Sequence, residues 1–204
     1  IPGYVLHGLA WRETSLVLEV FSREEGRLGV VARGARRPRS ALRGLLQPFQ
    51  PLLLRYSTKG DLRTLLAAEW RAGLPALRGD ALLAGFYLNE LLIRLVPRQD
   101  PHPSLYDAYE HALQALSAGP GGSRAALTEA VLRQFECRLL REMGVAPEFC
   151  PPEVSRAPEA QFWVCPHEGV HPVGASARAS DALEVSGQTL VALSRYDLSL
   201  AAFS

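Results

Sequence analysis

The chain has 204 residues and a net charge of +1, long enough for one large or two small domains with proper cores. Three cysteines at irregular spacings, Cys137, Cys150 and Cys165, argue against a disulfide scaffold and for a reducing cytoplasm. No cleavable signal opens the chain, and no apolar run approaches the roughly 20 residues of a membrane helix, so a soluble protein is expected. The first residue is Ile1 and not Met, which suggests the ordered part of something longer.

The small net charge hides a division. Residues 1–80 hold 13 Lys and Arg against 7 Asp and Glu, whereas residues 81–204 hold 9 against 14. Polyanion binding is therefore expected of the first part, because phosphate neutralisation follows local and not total charge.

Tyr4 to Leu9 reads as an extended run. From Ser15 to Phe21 the apolar Leu16, Leu18 and Val20 recur with period two, as a half-buried strand requires. A turn over Ser22 to Gly26 leads to a returning strand, Leu28 to Ala32. Pro51 to Tyr56 and Leu62 to Trp70 complete five strands, separated by a turn of small, polar and glycine residues at 57–61. Five short strands with no helix long enough for a βαβ crossover predict a small closed Greek-key barrel of the OB type, with an SH3-like barrel as competitor. Phe21 and Phe49 are assigned to its core, while Trp11 and Tyr56 stand near a turn and a strand end, where bases could stack.

After Gly79 the pattern becomes helical. Asp80 is placed as the cap of a helix running to about Val96, apolar on most sides through Leu82, Leu83, Phe86, Leu91, Leu92, Ile93 and Leu95, and so expected to be central and buried. Ser104 with Asp107 resembles a capping box for a second helix with the stripe Leu105, Tyr109, Ala112 and Leu116. Ser123 opens a third, with Leu127, Val131, Phe135, Leu139 and Met143 at four-residue steps, stopped by Gly144 and Pro147. Cys150 to Pro172 reads as irregular, and Ser186 to Tyr196 as a last short helix. The expected organisation is α+β: a barrel over 1–79, then a helical domain over 80–204 with a Cys/His/Pro-rich insertion at about 145–180.

The densest chemical signal is the run from Arg33 to Arg43. Arg33, Arg36, Arg37, Arg39 and Arg43 stand there with no acid among them, in a loop that also holds Gly, Pro and Ser. Their mutual repulsion is relieved by phosphates, which guanidinium groups contact without reading sequence. Arg27, Arg55, Lys59 and Arg63 on neighbouring strand ends and turns are expected to extend the groove. Cys150, Cys165, His167 and His171 are of zinc-ligand type, but the long gap and the absence of any Cys-x-x-Cys pair make a metal-free protein the expectation. Phosphate loops, nucleophile elbows and His-Glu-x-x-His pairs are all missing, so no enzyme is expected. Asn89 and Glu90, polar residues in an apolar helix, are read as bridging neighbouring backbone.

Several segments together resemble the RecO family of recombination mediators. They are Tyr4-Val5-Leu6-His7, Arg12-Glu13-Thr14-Ser15-Leu16, Gly34-Ala35-Arg36-Arg37-Pro38-Arg39-Ser40 and Leu46-Gln47-Pro48-Phe49-Gln50-Pro51-Leu52, followed by Tyr87-Leu88-Asn89-Glu90-Leu91-Leu92 and Leu132-Arg133-Gln134-Phe135-Glu136. The resemblance spans about the first 150 residues. It implies an N-terminal OB domain that binds single- and double-stranded DNA and promotes annealing. It also implies partnership with RecR, docking on the acidic C-terminal tail of single-strand DNA-binding protein, and help in loading RecA on the bacterial nucleoid. Arg133 resembles the position that receives the tail, with Arg138 and Arg141 as helpers. Zinc-binding members carry two Cys-x-x-Cys pairs; here Glu153 and Glu168 stand at the partner spacing, which resembles members that lost the metal. The family's basic C-terminal end is not recognisable after Tyr196. The alternative function is a protein-interaction adaptor that docks on an acidic partner with little DNA binding of its own.

Overall fold

A computed structural model describes residues 1–57, 62–71, 73–118, 124–165, 168–174 and 182–195. The chain divides into two compact units, Ile1–Arg124 and Ala125–Ser204.

In the first unit, β1 (Pro2–Trp11), β2 (Ser15–Ser22), β3 (Gly26–Ala32), β4 (Leu52–Tyr56) and β5 (Leu62–Trp70) form a closed barrel in the order β1-β2-β3-β5-β4. The β3–β5 pairing is parallel and the rest are antiparallel, with Pro2 and Gly3 of β1 closing on Leu53 and Leu52 of β4. This is the OB-type arrangement that the five short strands predict, and the strand bounds lie within two residues of those expected.

Period-two alternation decides what lies inside. Val5, Leu18, Val20, Leu28, Val30, Leu52, Leu54 and Leu65 fill the barrel. The link from β3 to β4 crosses as a long loop containing one short turn of helix, α1 (Leu42–Leu45). Ala35 and Leu46 of that link are buried in the barrel core, with Leu42 and Leu45 packed against it. The loop is thus tethered from beneath by apolar side chains.

The outer face of β1 and β2 is covered by helices. Beyond the barrel come α2 (Asp80–Leu95) and α3 (Pro103–Ala118). Phe21 is fully buried, but outside the barrel interior: its ring lies 5.6 Å from Tyr106 and 6.2 Å from Tyr109, both on α3. Tyr4 joins the same cluster at 5.7 and 5.2 Å from those two rings. Phe49 is buried as expected and meets Phe86 edge-on. The buried stripe of α3, Leu105, Tyr106, Tyr109, Ala112, Leu113 and Leu116, contains every position of the expected one.

Two expectations for α2 need correction. The helix buries one stripe, Ala81, Ala84, Gly85, Leu88, Asn89 and Leu92, while Leu83, Phe86 and Leu95 are exposed, so it is not buried all round. Its N-cap is Gly79, whose φ of 56° suits glycine, and Asp80 lies within the first turn and makes no cap hydrogen bond. The polar pair behaves as read for Asn89, which is 2% exposed. Its Nδ2 donates to the Leu6 carbonyl at 2.8 Å and its Oδ1 accepts from the Tyr109 hydroxyl at 2.6 Å. Leu6 stands where the β1–β2 register slips, so Asn89 supplies a partner at a bulge. Glu90, by contrast, is exposed and pairs with Arg94.

In the second unit, α4 (Arg124–Glu142) buries Val131, Phe135 and Leu139 of the expected stripe, whereas Leu127 is exposed. The stretch expected to be irregular is instead ordered. It contains α5 (Pro152–Arg156), β6 (Gln161–Cys165) and β7 (Gly169–Pro172); beyond it β8 (Leu183–Ser186) pairs with the other edge of β6 to complete a three-stranded antiparallel sheet, followed by α6 (Gly187–Arg195). Val154, Phe162 and Leu190 form the centre of its core. Each strand has five residues or fewer, too short for alternation to stand out among prolines.

Candidate nucleic-acid interface

Most of the described arginines fall into two groups by the company they keep. Arg27 reaches from β3 to Glu19 at 2.7 Å, with side chains only 13% and 11% exposed, and its Nε donates to the Val96 carbonyl. Arg98 holds the other oxygen of Glu19 at 2.7 Å. Arg63 lies over the Tyr56 ring and is bonded to Glu25, which also accepts from the Tyr56 hydroxyl. Arg23 grips both oxygens of Asp107, and Arg71, Arg94, Arg133 and Arg138 pair with Glu110, Glu90, Glu136 and Glu142.

Arg33, Arg36, Arg37, Arg39, Arg43 and Arg55 make the second group. All six are exposed, and among the described residues no carboxylate lies within 4.0 Å of any of them. Five of them belong to the tethered β3–β4 link, so the fold holds a set of uncompensated cations along one connection. Arg27 and Arg63 are set apart from that group by their internal partners, and Lys59 lies outside the described residues.

The link is fixed to the β1–β2 turn from its side as well. The Arg36 amide donates to the Thr14 carbonyl at 2.8 Å, and its Nη1 approaches the Arg12 and Glu13 carbonyls at 3.4 Å. Between turn and link lies an open hollow of about 540 Å³ whose wall includes Trp11, Arg12, Arg33 and Arg37. The Arg12 guanidinium sits 4.3 Å from the centre of the Trp11 ring. Arg12 was not among the expected contacts; the signal for it was its place in a tight turn beside Trp11, where its φ is 53°. Tyr56 is partly buried against the barrel core and engaged by Glu25, whereas Trp11, also partly buried, borders the hollow.

In the second unit, Arg133, Cys137 and Arg141 recur at four-residue steps on α4. Arg141 and Cys137 border a hollow of about 430 Å³ with Phe149, Cys150 and Leu193. Arg138 points its charge at Glu142 at 3.4 Å. Burial pushes the Cys137 thiol above its ordinary pKa, which makes it a poor thiolate. Of the zinc-type residues, Cys150 Sγ lies 3.2 Å from Ser155 Oγ, Cys165 is buried, and His171 Nε2 lies 2.8 Å from the Glu168 carbonyl. His167 lies outside the described residues, and among those described no three His, Cys, Asp or Glu side chains are grouped to hold a metal. Among the same residues no helix is long and apolar enough to cross a membrane.

Comparison with known proteins gives two family matches in tandem. Residues 1–74 match the model described as Recombination protein O N terminal, and residues 77–203 match Recombination protein O C terminal. The chain is 56% identical over 146 residues to the DNA repair protein RecO of Azoarcus sp. strain BH72, a match covering 72% of this chain and 58% of that protein. It is 47% identical over 196 residues to the RecO of Thiobacillus denitrificans, covering 94% and 75% of the two chains. The RecO of Cupriavidus pinatubonensis is 46% identical over 199 residues, covering 96% and 66%. The matched stretch thus spans less than two thirds of the Azoarcus and Cupriavidus proteins.

Proposed function

Since the chain belongs to the RecO family of DNA repair proteins, we propose that it is a non-catalytic recombination mediator whose barrel binds single- and double-stranded DNA without sequence preference, annealing complementary strands and helping to load RecA. One observation carries this reading: among the described residues the five arginines of the β3–β4 link, and Arg55 of β4, have no carboxylate within 4.0 Å, whereas Arg23, Arg27, Arg63, Arg71, Arg94 and Arg98 of the same unit are paired. A cation held without an anion at a surface is ready for phosphate, and one bonded to a buried glutamate is not.

The binding residues in this reading are Arg33, Arg36, Arg37, Arg39, Arg43 and Arg55. Arg133, Arg138 and Arg141 would receive the acidic tail of single-strand DNA-binding protein, Arg141 from the rim of a mixed hollow in which Pro147, Phe149 and Leu193 could meet an aromatic side chain. RecR would be the second protein partner, and the cytoplasmic nucleoid the site of action. No zinc belongs to this reading: Glu153 and Glu168 occupy the spacing a second cysteine of each pair would need, and metal analysis of purified protein should find no stoichiometric zinc.

The test is fluorescence anisotropy of a labelled oligonucleotide over a salt series. Replacing Arg36, Arg37 and Arg39 together by alanine should weaken binding and lower the salt slope by about 2, at roughly 0.7 per lost phosphate contact on a single strand. An unchanged slope would remove the link from the DNA interface. If oligonucleotides fail to bind at low salt while an acidic tail peptide binds, the adaptor reading takes its place.

A further inference from the structure

We propose that the hollow between the β1–β2 turn and the arginine link holds one unpaired nucleotide, its base stacked on Trp11 and its phosphate on Arg33 and Arg37, so that Trp11 selects single strands over duplex. The inference rests on the DNA-binding reading above and adds to it a residue that tells the two kinds of strand apart.

The site is built before any ligand arrives. Trp11 pairs with Ser15 at the ends of β1 and β2, so the indole projects from the last rung of a ladder and not from a loose loop. The opposite wall is held to the turn by the Arg36 amide on Thr14. Gly34, at a φ of +69°, turns that wall so sharply that an added Cβ would lie 3.4 Å from Arg37 Nε, which brings the Arg37 side chain back over the glycine. The resulting space of about 540 Å³ falls within the roughly 300–1,000 Å³ of small-ligand pockets. Its wall carries Arg12, Arg33 and Arg37 against a single acid, Glu13.

The Trp11 ring already holds a planar group. Arg12 lies over it at 4.3 Å, the contact that a guanidinium makes with an electron-rich face. A nucleobase is planar, polarisable and able to take the same place, and Arg12, once displaced, remains beside the nucleotide as a further cation for its phosphate. A paired base cannot enter. Both its faces are covered in the duplex stack, and exposing one costs a few kcal/mol of unstacking. Arginine contacts to phosphate exist in both kinds of strand, so the discrimination falls on the ring.

Two substitutions, Trp70→Phe and Trp163→Phe, leave Trp11 as the sole tryptophan and its emission as a local reporter. Saturation with unlabelled oligothymidylate should then quench that emission. By anisotropy, Trp11→Ala should lower the ratio of single-strand to duplex affinity by roughly 5- to 150-fold, the span of one lost base stack. Trp11→Phe should keep most of the ratio, whereas Trp11→Leu, which restores bulk without an aromatic face, should behave like alanine. Unquenched emission with intact oligonucleotide binding would overturn the nucleotide site and leave the DNA-binding reading standing. Recovery of the ratio by leucine would equally overturn stacking. Absence of binding by either measurement would take both readings down together.

Discussion

Asn89 ties three elements together with one side chain. Its amide donates to Leu6 in the β1 bulge and accepts from Tyr109 on α3, all within a region closed to water. Asn89→Ala would leave a buried carbonyl and a buried hydroxyl without that partner, each costing about 1–3 kcal/mol, so urea denaturation should show a loss of roughly 2–6 kcal/mol. Glu25 offers a different kind of test. Burial pulls its carboxyl upward, but hydrogen bonds from Arg63 and Tyr56 outweigh this and hold it below the usual carboxylate range. A lowered folded value means stability that is present above the unfolded pKa of about 4.3 and is lost as pH falls through the folded value. Unfolding midpoints of wild type and Glu25→Gln should therefore differ at neutral pH and converge in acid.

At the scale of elements, the barrel was legible because Ser15 to Phe21 alternates with period two and the other runs are apolar stretches set off by turns of small, polar and glycine residues. The small sheet of the second unit was not, since Gln161–Cys165, Gly169–Pro172 and Leu183–Ser186 are too short for a period to declare itself. The arginine link was legible as a cluster, but the pairing that divides the arginines was not. Arg27 meets Glu19 across a ladder, Arg63 meets Glu25 from another strand, and Arg23 meets Asp107 from a helix 84 positions away, relations that only the fold creates. The division has a measurable outcome. Arg27→Ala should lower the unfolding midpoint, because it leaves the nearly buried Glu19 with Arg98 alone and frees the Val96 carbonyl, with little change in oligonucleotide affinity; the Arg36, Arg37 and Arg39 set should weaken binding and leave the midpoint nearly unchanged.

For the molecule as a whole, the boundary between its parts depends on what is asked. The family models meet between residues 74 and 77, close to the end of the barrel expected at Gly79, whereas the compact units divide after Arg124. The reason is that α2 and α3 complete the barrel: α3 covers Tyr4 and Phe21, which are 1% and 0% exposed, its Glu110 takes the Tyr4 hydroxyl, and α2 binds the β1 bulge through Asn89. A fragment ending at Gly79 uncovers both rings, each worth about 1.5–3 kcal/mol of burial, and should aggregate or bind a hydrophobic dye. A fragment ending at Ala118 keeps that cover and should unfold cooperatively.

The same whole-molecule view bears on the arginine link, which Ala35 and Leu46 seat in the barrel core and the Arg36 amide ties to Thr14. A segment so anchored gives up its conformational freedom when the chain folds, long before DNA is present. Calorimetry of oligonucleotide binding should then show only a small change in heat capacity, the mark of charge meeting charge on a surface already shaped for it. A basic tail that folded around its ligand would show a large negative one.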